Sequence, residues 1–95
     1  MRISKEEHTY IKKFWTTKVK GSSVFLFGSR VEDAGKGGDI DLLVLTEKNI
    51  SLDEKMDFMI GFYSRFGEQK LDIVNFTYDL DSPFKRIALS NAIEL

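Results

Sequence analysis

Ninety-five residues suit one domain and leave no room for two. Fourteen basic residues against fifteen acidic ones give a net charge of −1, which argues against an extended nucleic-acid footprint. There is no cysteine, which excludes disulfides, thiolate catalysis and cysteine-ligated zinc, and the one histidine, His8, argues against a histidine-rich metal site or a Ser-His-Asp triad.

No apolar run approaches the ~20 residues that span a bilayer. The start, Met1-Arg-Ile-Ser-Lys-Glu-Glu, lacks an apolar signal stretch. The expectation is a cytoplasmic single domain covering 1–95, with no membrane partner.

In chain order, Ser4 and Glu7 have capping-box spacing, and Tyr10, Ile11, Phe14 and Trp15 recur at helical spacing. They predict a first helix over ~4–19, ended by Gly21 and Ser22. Ser23-Val-Phe-Leu-Phe27 reads as a buried strand bounded by Gly28. A short helical segment beginning near Ser29 is stopped by the flexible Gly35-Lys-Gly-Gly38 loop. Asp39-Ile-Asp-Leu-Leu-Val-Leu-Thr46 is the second strand. Ser51 with Glu54 repeats the capping box and opens a helix over ~52–66, closed by a left-handed Gly67. Lys70-Leu-Asp-Ile-Val-Asn-Phe76 is the third strand, and Ser82 with Pro83 starts a last helix. The order αβαβαβα predicts an α/β (α+β) domain, a small mixed sheet flanked by helices.

Side chains alternate along a strand, so Ile40, Leu42 and Val44 share one face while Asp39, Asp41, Leu43 and Leu45 share the other. Two acids thus begin an otherwise apolar face. At a separation of ~7 Å they repel by roughly 2 kcal/mol at an effective dielectric near 20. A divalent cation converts that repulsion into attraction. Asp72 repeats the pattern, sharing a face with Val74 and Phe76. If the two strands are neighbours, three carboxylates converge at one end of the sheet, as phosphoryl and nucleotidyl transfer require.

Gly28-Ser29 directly follows an apolar strand, where a glycine lets a ligand approach the backbone and a serine offers donors to phosphate oxygens. A Walker P-loop is absent: Gly37 follows Gly35-Lys36, and Arg30 stands where the first glycine should be.

Together, Phe27-Gly28-Ser29-Arg30 and Gly38-Asp39-Ile40-Asp41-Leu42-Leu43-Val44 resemble the signature of the DNA polymerase β-like nucleotidyltransferase superfamily. Within it the chain is similar, over essentially its whole length, to the minimal nucleotidyltransferases, the MNT type paired with HEPN-domain proteins. The resemblance implies that Asp39 and Asp41 bind Mg2+ (or Mn2+), that Asp72 completes the triad, and that Gly28 and Ser29 hold the triphosphate of ATP. It implies transfer of AMP to an acceptor hydroxyl, and a HEPN-type toxin as partner of an antitoxin. Nine residues separate Ser29 from Asp39, one fewer than is common in those antitoxins.

Beside the motifs, Arg30, Lys36 and Lys70 are the candidate phosphate contacts, with Arg30 ranked first for its position after Ser29. In the 52–66 helix, Leu52, Met56, Met59, Ile60 and Tyr63 form a stripe widened by Phe58, Phe62 and Phe66. A stripe this wide fits either a helix wedged into the core or a protein contact through Phe58 and Phe62. Two rivals to protein adenylylation remain: an antitoxin that neutralises its partner by contact alone, and a small-molecule nucleotidyltransferase.

Overall fold

The computed structural model describes residues 1–31 and 38–95; the Ser29 side chain and all of the expected Gly35–Gly38 loop except Gly38, thus Lys36 too, lie outside the described residues. The elements are α1 (Lys5–Lys18), β1 (Ser23–Phe27), a 3-10 turn over Gly28–Val31, β2 (Ile40–Thr46), α2 (Leu52–Phe66), β3 (Leu71–Thr77), α3 (Pro83–Ser90) and β4 (Ile93–Glu94).

Both capping boxes form. Ser4 Oγ accepts from Glu7 N–H at 3.0 Å while Glu7 Oε1 accepts from Ser4 N–H at 2.8 Å. Ser51 and Glu54 do the same at 3.0 and 2.8 Å. Ser82 Oγ caps α3 through Lys85 N–H, with Pro83 in the first turn. Gly67 ends α2 with φ +83° but ψ 167°, so it takes a glycine-only extended conformation rather than the expected left-handed helical one.

The sheet is mixed, in the order β3-β2-β1-β4. β2 runs parallel to β3 and antiparallel to β1. The three strands expected from the sequence become four because Phe25 and Leu26 pair with Glu94 and Ile93. A two-residue strand is too short to show alternation, and the pairing comes from tertiary contact.

Two layers of core follow from the alternation along β2. Ile40, Leu42 and Val44 pack with Ile11 and Trp15 of α1 and Phe58 and Phe62 of α2. Leu43 and Leu45 face the other way, toward Phe25, Phe76 and the α3 residues Ala88 and Leu89. Phe58 and Phe62 are fully buried, so the contact reading of these two residues is corrected: they form the floor of the core. The wide stripe arises because α2 is wedged between sheet and α1, while Leu52, Met56 and Ile60 extend it into solvent at 73%, 45% and 62% exposure.

Asn75 fixes the start of α2 against the sheet. Its Nδ2 donates to Val44 O at 2.9 Å and Thr46 Oγ1 at 3.0 Å, and its Oδ1 accepts from Ile50 N–H at 2.9 Å. On the opposite face Lys85 Nζ donates to the carbonyls of Thr77, Tyr78 and Leu80 at 3.0, 2.9 and 2.8 Å. That clamp ties α3 to the exit of β3, and the Phe84 ring meets Phe27 edge-on at 6.3 Å.

Between α1 and α2, the Tyr10 ring stacks on Phe58 at 5.5 Å, with Arg65 4.7 Å above it, and its hydroxyl donates to Phe58 O at 3.0 Å. Gly61 makes room for that hydroxyl, because a Cβ there would overlap Tyr10 Oη and lie 3.2 Å from Cζ. Gly61→Ala should therefore lower the melting temperature, although glycine to alanine inside a helix normally gains roughly 1 kcal/mol. Calorimetry showing a rise instead would mean that the Tyr10 ring relocates freely.

Candidate active site

β2 and β3 are neighbours and parallel, and their register sets Asp41 directly across from Asp72. Ile40 N–H donates to Lys70 O at 3.1 Å, which pins the start of the ladder and brings Asp39, one residue before β2, to the same end. Asp39, Asp41 and Asp72 each offer a carboxylate oxygen, and these oxygens all lie within 4.8 Å of one another. Asp39 and Asp41 are half-buried and Asp72 is exposed. Lys70 Nζ stands 3.5 Å from Asp39 Oδ2, a solvent-facing ion pair that offsets only part of the negative charge.

Asp41 carries the electrostatic strain. Burial, the charges of Asp72 and Asp39, and a hydrogen bond with Asp72 push its pKa above the ordinary 3.8, while Lys70 pulls the other way. The folded state therefore holds this proton more tightly than the unfolded chain. Stability is lost as pH rises from the ordinary carboxylate range through the raised folded value. An all-oxygen donor set with unspent negative charge fits a hard divalent cation.

The turn after β1 is built around the same carboxylate. Gly28 has φ +77°, and a Cβ on it would overlap Asp41 Oδ2 and sit 3.2 Å from Asp41 Cγ. The glycine predicted to admit a phosphate thus also admits the Asp41 carboxylate against the backbone of the turn. The backbone of Ser29 lies in the 3-10 turn beside it.

Arg30 is directed elsewhere. Its Nε donates to Gly38 O at 3.2 Å and its NH1 to Arg2 O at 2.7 Å, while Arg30 O accepts from Arg2 N–H at 2.7 Å. Here the guanidinium clips the N-terminal segment and the entry to β2 onto the turn.

Asp41 and Asp72 open into a cleft of about 630 Å3 that also touches Leu52, Lys55, Met56 and Phe84. The sequence reading passed over Lys55 and Phe84; the signal for the α2 wall was the excess width of its apolar stripe. A larger groove of about 940 Å3 lies between α1 and the end of α2, floored by Tyr10, Phe14 and Phe66. It holds one carboxylate, Glu6, so the chemistry belongs to the smaller cleft. No helix among the described residues is long and apolar enough to cross a membrane.

Residues 9–95 match the family described as polymerase beta, nucleotidyltransferase. The chain belongs to that family. Among solved structures it is similar to a chain of the Shewanella oneidensis complex of a tri-AMPylated HEPN toxin with an MNT antitoxin, at 15% identity and TM-score 0.68, covering 97% of this chain and 71% of that one. It is similar also to a chain of a mutant MntA–HpeT toxin–antitoxin complex, at 17% identity and TM-score 0.71, covering 93% of this chain and 70% of that one. At these identities the likeness is one of fold. A search of curated protein sequences returns no match.

Two outcomes follow. Asp41→Asn should raise the melting temperature at pH 7 without divalent metal, the gain vanishing below about pH 4, where both states hold the proton; a fall at pH 7 would contradict the strain assigned to this carboxylate. Gly28→Ala should cost at least about 1–2 kcal/mol from its positive φ alone, some 4 °C or more of melting temperature in a domain this size. An unchanged melting curve would mean that Gly28 is not held at positive φ against Asp41.

Proposed function

We propose that this chain is an MNT-type antitoxin and a magnesium-dependent nucleotidyltransferase that moves AMP from ATP to a hydroxyl of a HEPN-domain toxin. The observation that carries the reading is the parallel register that sets Asp72 beside Asp41, with Asp39 completing a cluster of oxygens within 4.8 Å. Family membership and the fold shared with chains of HEPN–MNT complexes support it.

In this reading Asp39, Asp41 and Asp72 would hold Mg2+ (or Mn2+), and the backbone of Gly28 and Ser29 would take the triphosphate. The bound ion supplies neutralisation of phosphate charge and polarisation of the reacting phosphoryl group. The acceptor oxygen forms a bond to the α-phosphorus, and the bond from that phosphorus to the β-phosphate oxygen breaks. Pyrophosphate leaves, and the hydroxyl proton passes to Asp72, the exposed member of the triad. Lys70, paired with Asp39 and solvent-facing, would be the nearby cation for the phosphates once a metal took over Asp39. Arg30 braces the turn that would take the triphosphate.

The test is transfer of label from α-labelled ATP to a HEPN-domain partner. The paired substitution Asp39→Asn with Asp41→Asn, or chelation of divalent metal, should reduce transfer by at least about 100-fold while the chain stays folded. Undiminished transfer by the double variant would end the catalytic reading.

A further inference from the structure

β3 is a terminal strand with its outer edge open. The bonds Ile40 N–H to Lys70 O and Tyr78 N–H to Thr46 O fix the phase of the β2–β3 ladder. In a parallel pair, a residue directs both of its backbone groups to the same side. Lys70, Asp72, Val74, Phe76 and Tyr78 therefore bond toward β2, and Leu71, Ile73 and Asn75 direct N–H and C=O outward. Among the described residues no backbone bond reaches these three, whereas the next outward carbonyl, Thr77 O, is taken by Lys85 Nζ and Leu80 N–H.

Exposed edges are normally blunted by a lysine, a proline or a bulge. β3 has none of these from Leu71 to Thr77, its one charged side chain is Asp72 of the acidic cluster, and its seven-residue register with β2 is unbroken. Its edge also opens into the acidic cleft. The cleft touches Leu71 and Ile73 from one face of the strand and Asp72 and Val74 from the other. Leu52 and Met56 of α2 and Phe84 of α3, from helices that cover opposite faces of the sheet, line the same cleft, so it runs around the edge. Beside Lys55, its walls expose apolar side chains, Leu52 and Met56 on one side and Phe84, half exposed, on the other.

We propose that the β3 edge is the docking track for the acceptor: an extended segment of the partner protein adds to β3 as a fifth strand and delivers its hydroxyl to the acidic triad. The proposal rests on the nucleotidyltransfer reading for its chemistry, and on the open edge for its geometry. An added strand lies about 4.8 Å from β3, and the residue across from Asp72 presents its side chain on the Asp72 face. A hydroxyl there approaches the carboxylates that take its proton. Neighbouring side chains of the segment alternate between the Leu52–Met56 wall and the Phe84 wall, so the segment reads as apolar residues around one hydroxyl residue, without proline where its amides face β3.

The probe is a display library of dodecapeptides with one fixed central serine, threonine or tyrosine, selected on the intact chain with Mg2+ and a non-hydrolysable ATP analogue. Selected peptides should slow amide exchange of Leu71, Ile73 and Asn75 at least about tenfold. N-methylation at alternate peptide residues should abolish binding in one parity and leave it intact in the other. Leu52→Asp with Met56→Asp, both at exposed positions, should weaken binding at least about tenfold. Peptides that bind without slowing those three amides, or equal selection on the doubly charged variant, would overturn the proposal, as would concentration-dependent protection of the edge by a second copy of the chain. Label transfer and edge exchange, measured together on the unsubstituted chain, separate the two readings. Edge protection without label transfer leaves the track standing and removes the catalysis; transfer to a HEPN partner with the edge still exchanging freely does the reverse.

Discussion

Three carboxylates are held within 4.8 Å at one end of a four-stranded sheet, and the fold must oppose their repulsion to keep them there. Desolvation compounds that repulsion at Asp41, which lies across from Asp72 and against the Gly28 turn. Nothing in the packing of the domain requires the arrangement, since Leu43 and Leu45 continue the same face of β2 as ordinary core residues. The site is a local electrostatic debt carried by the stability of the layer beneath it.

That layer is deep on one face and thin on the other. Under the site, Ile11, Trp15, Phe58 and Phe62 are fully buried against Ile40, Leu42 and Val44, giving β2 a rigid backing. Over the site face, eight-residue α3 contributes one buried residue, Ala88, and is anchored through the Lys85 clamp. The asymmetry leaves the acidic end of the sheet and the edge of β3 accessible while the register that sets Asp41 against Asp72 stays fixed. Asn75 contributes to both, since its side chain joins β2, β3 and the start of α2.

Much of this was legible in the sequence because it is written in local rules. Ser4 with Glu7 and Ser51 with Glu54 announce helix starts, and the alternation from Asp39 to Leu45 assigns faces to the strand before any partner is known. The convergence of Asp72 with the Asp39–Asp41 pair depended on strand adjacency, which periodicity does not report and the parallel β2–β3 pairing supplies. β4 was missed because two residues carry no period. The width of the α2 stripe was visible, but the division into buried Phe58 and Phe62 and exposed Leu52, Met56 and Ile60 depends on how the helix sits between α1 and the sheet. The bonds of Arg30 to the Arg2 and Gly38 carbonyls were not legible either, since its place after Ser29 says nothing of which distant backbone its length lets it reach.

The most direct measurement is anomalous diffraction from crystals of the chain grown with Mn2+ and a non-hydrolysable ATP analogue. The account predicts manganese coordinated by oxygens of Asp39, Asp41 and Asp72, with the triphosphate against the backbone of the Gly28–Val31 turn. Manganese away from these three carboxylates, or nucleotide seated in the groove between α1 and α2, would contradict it.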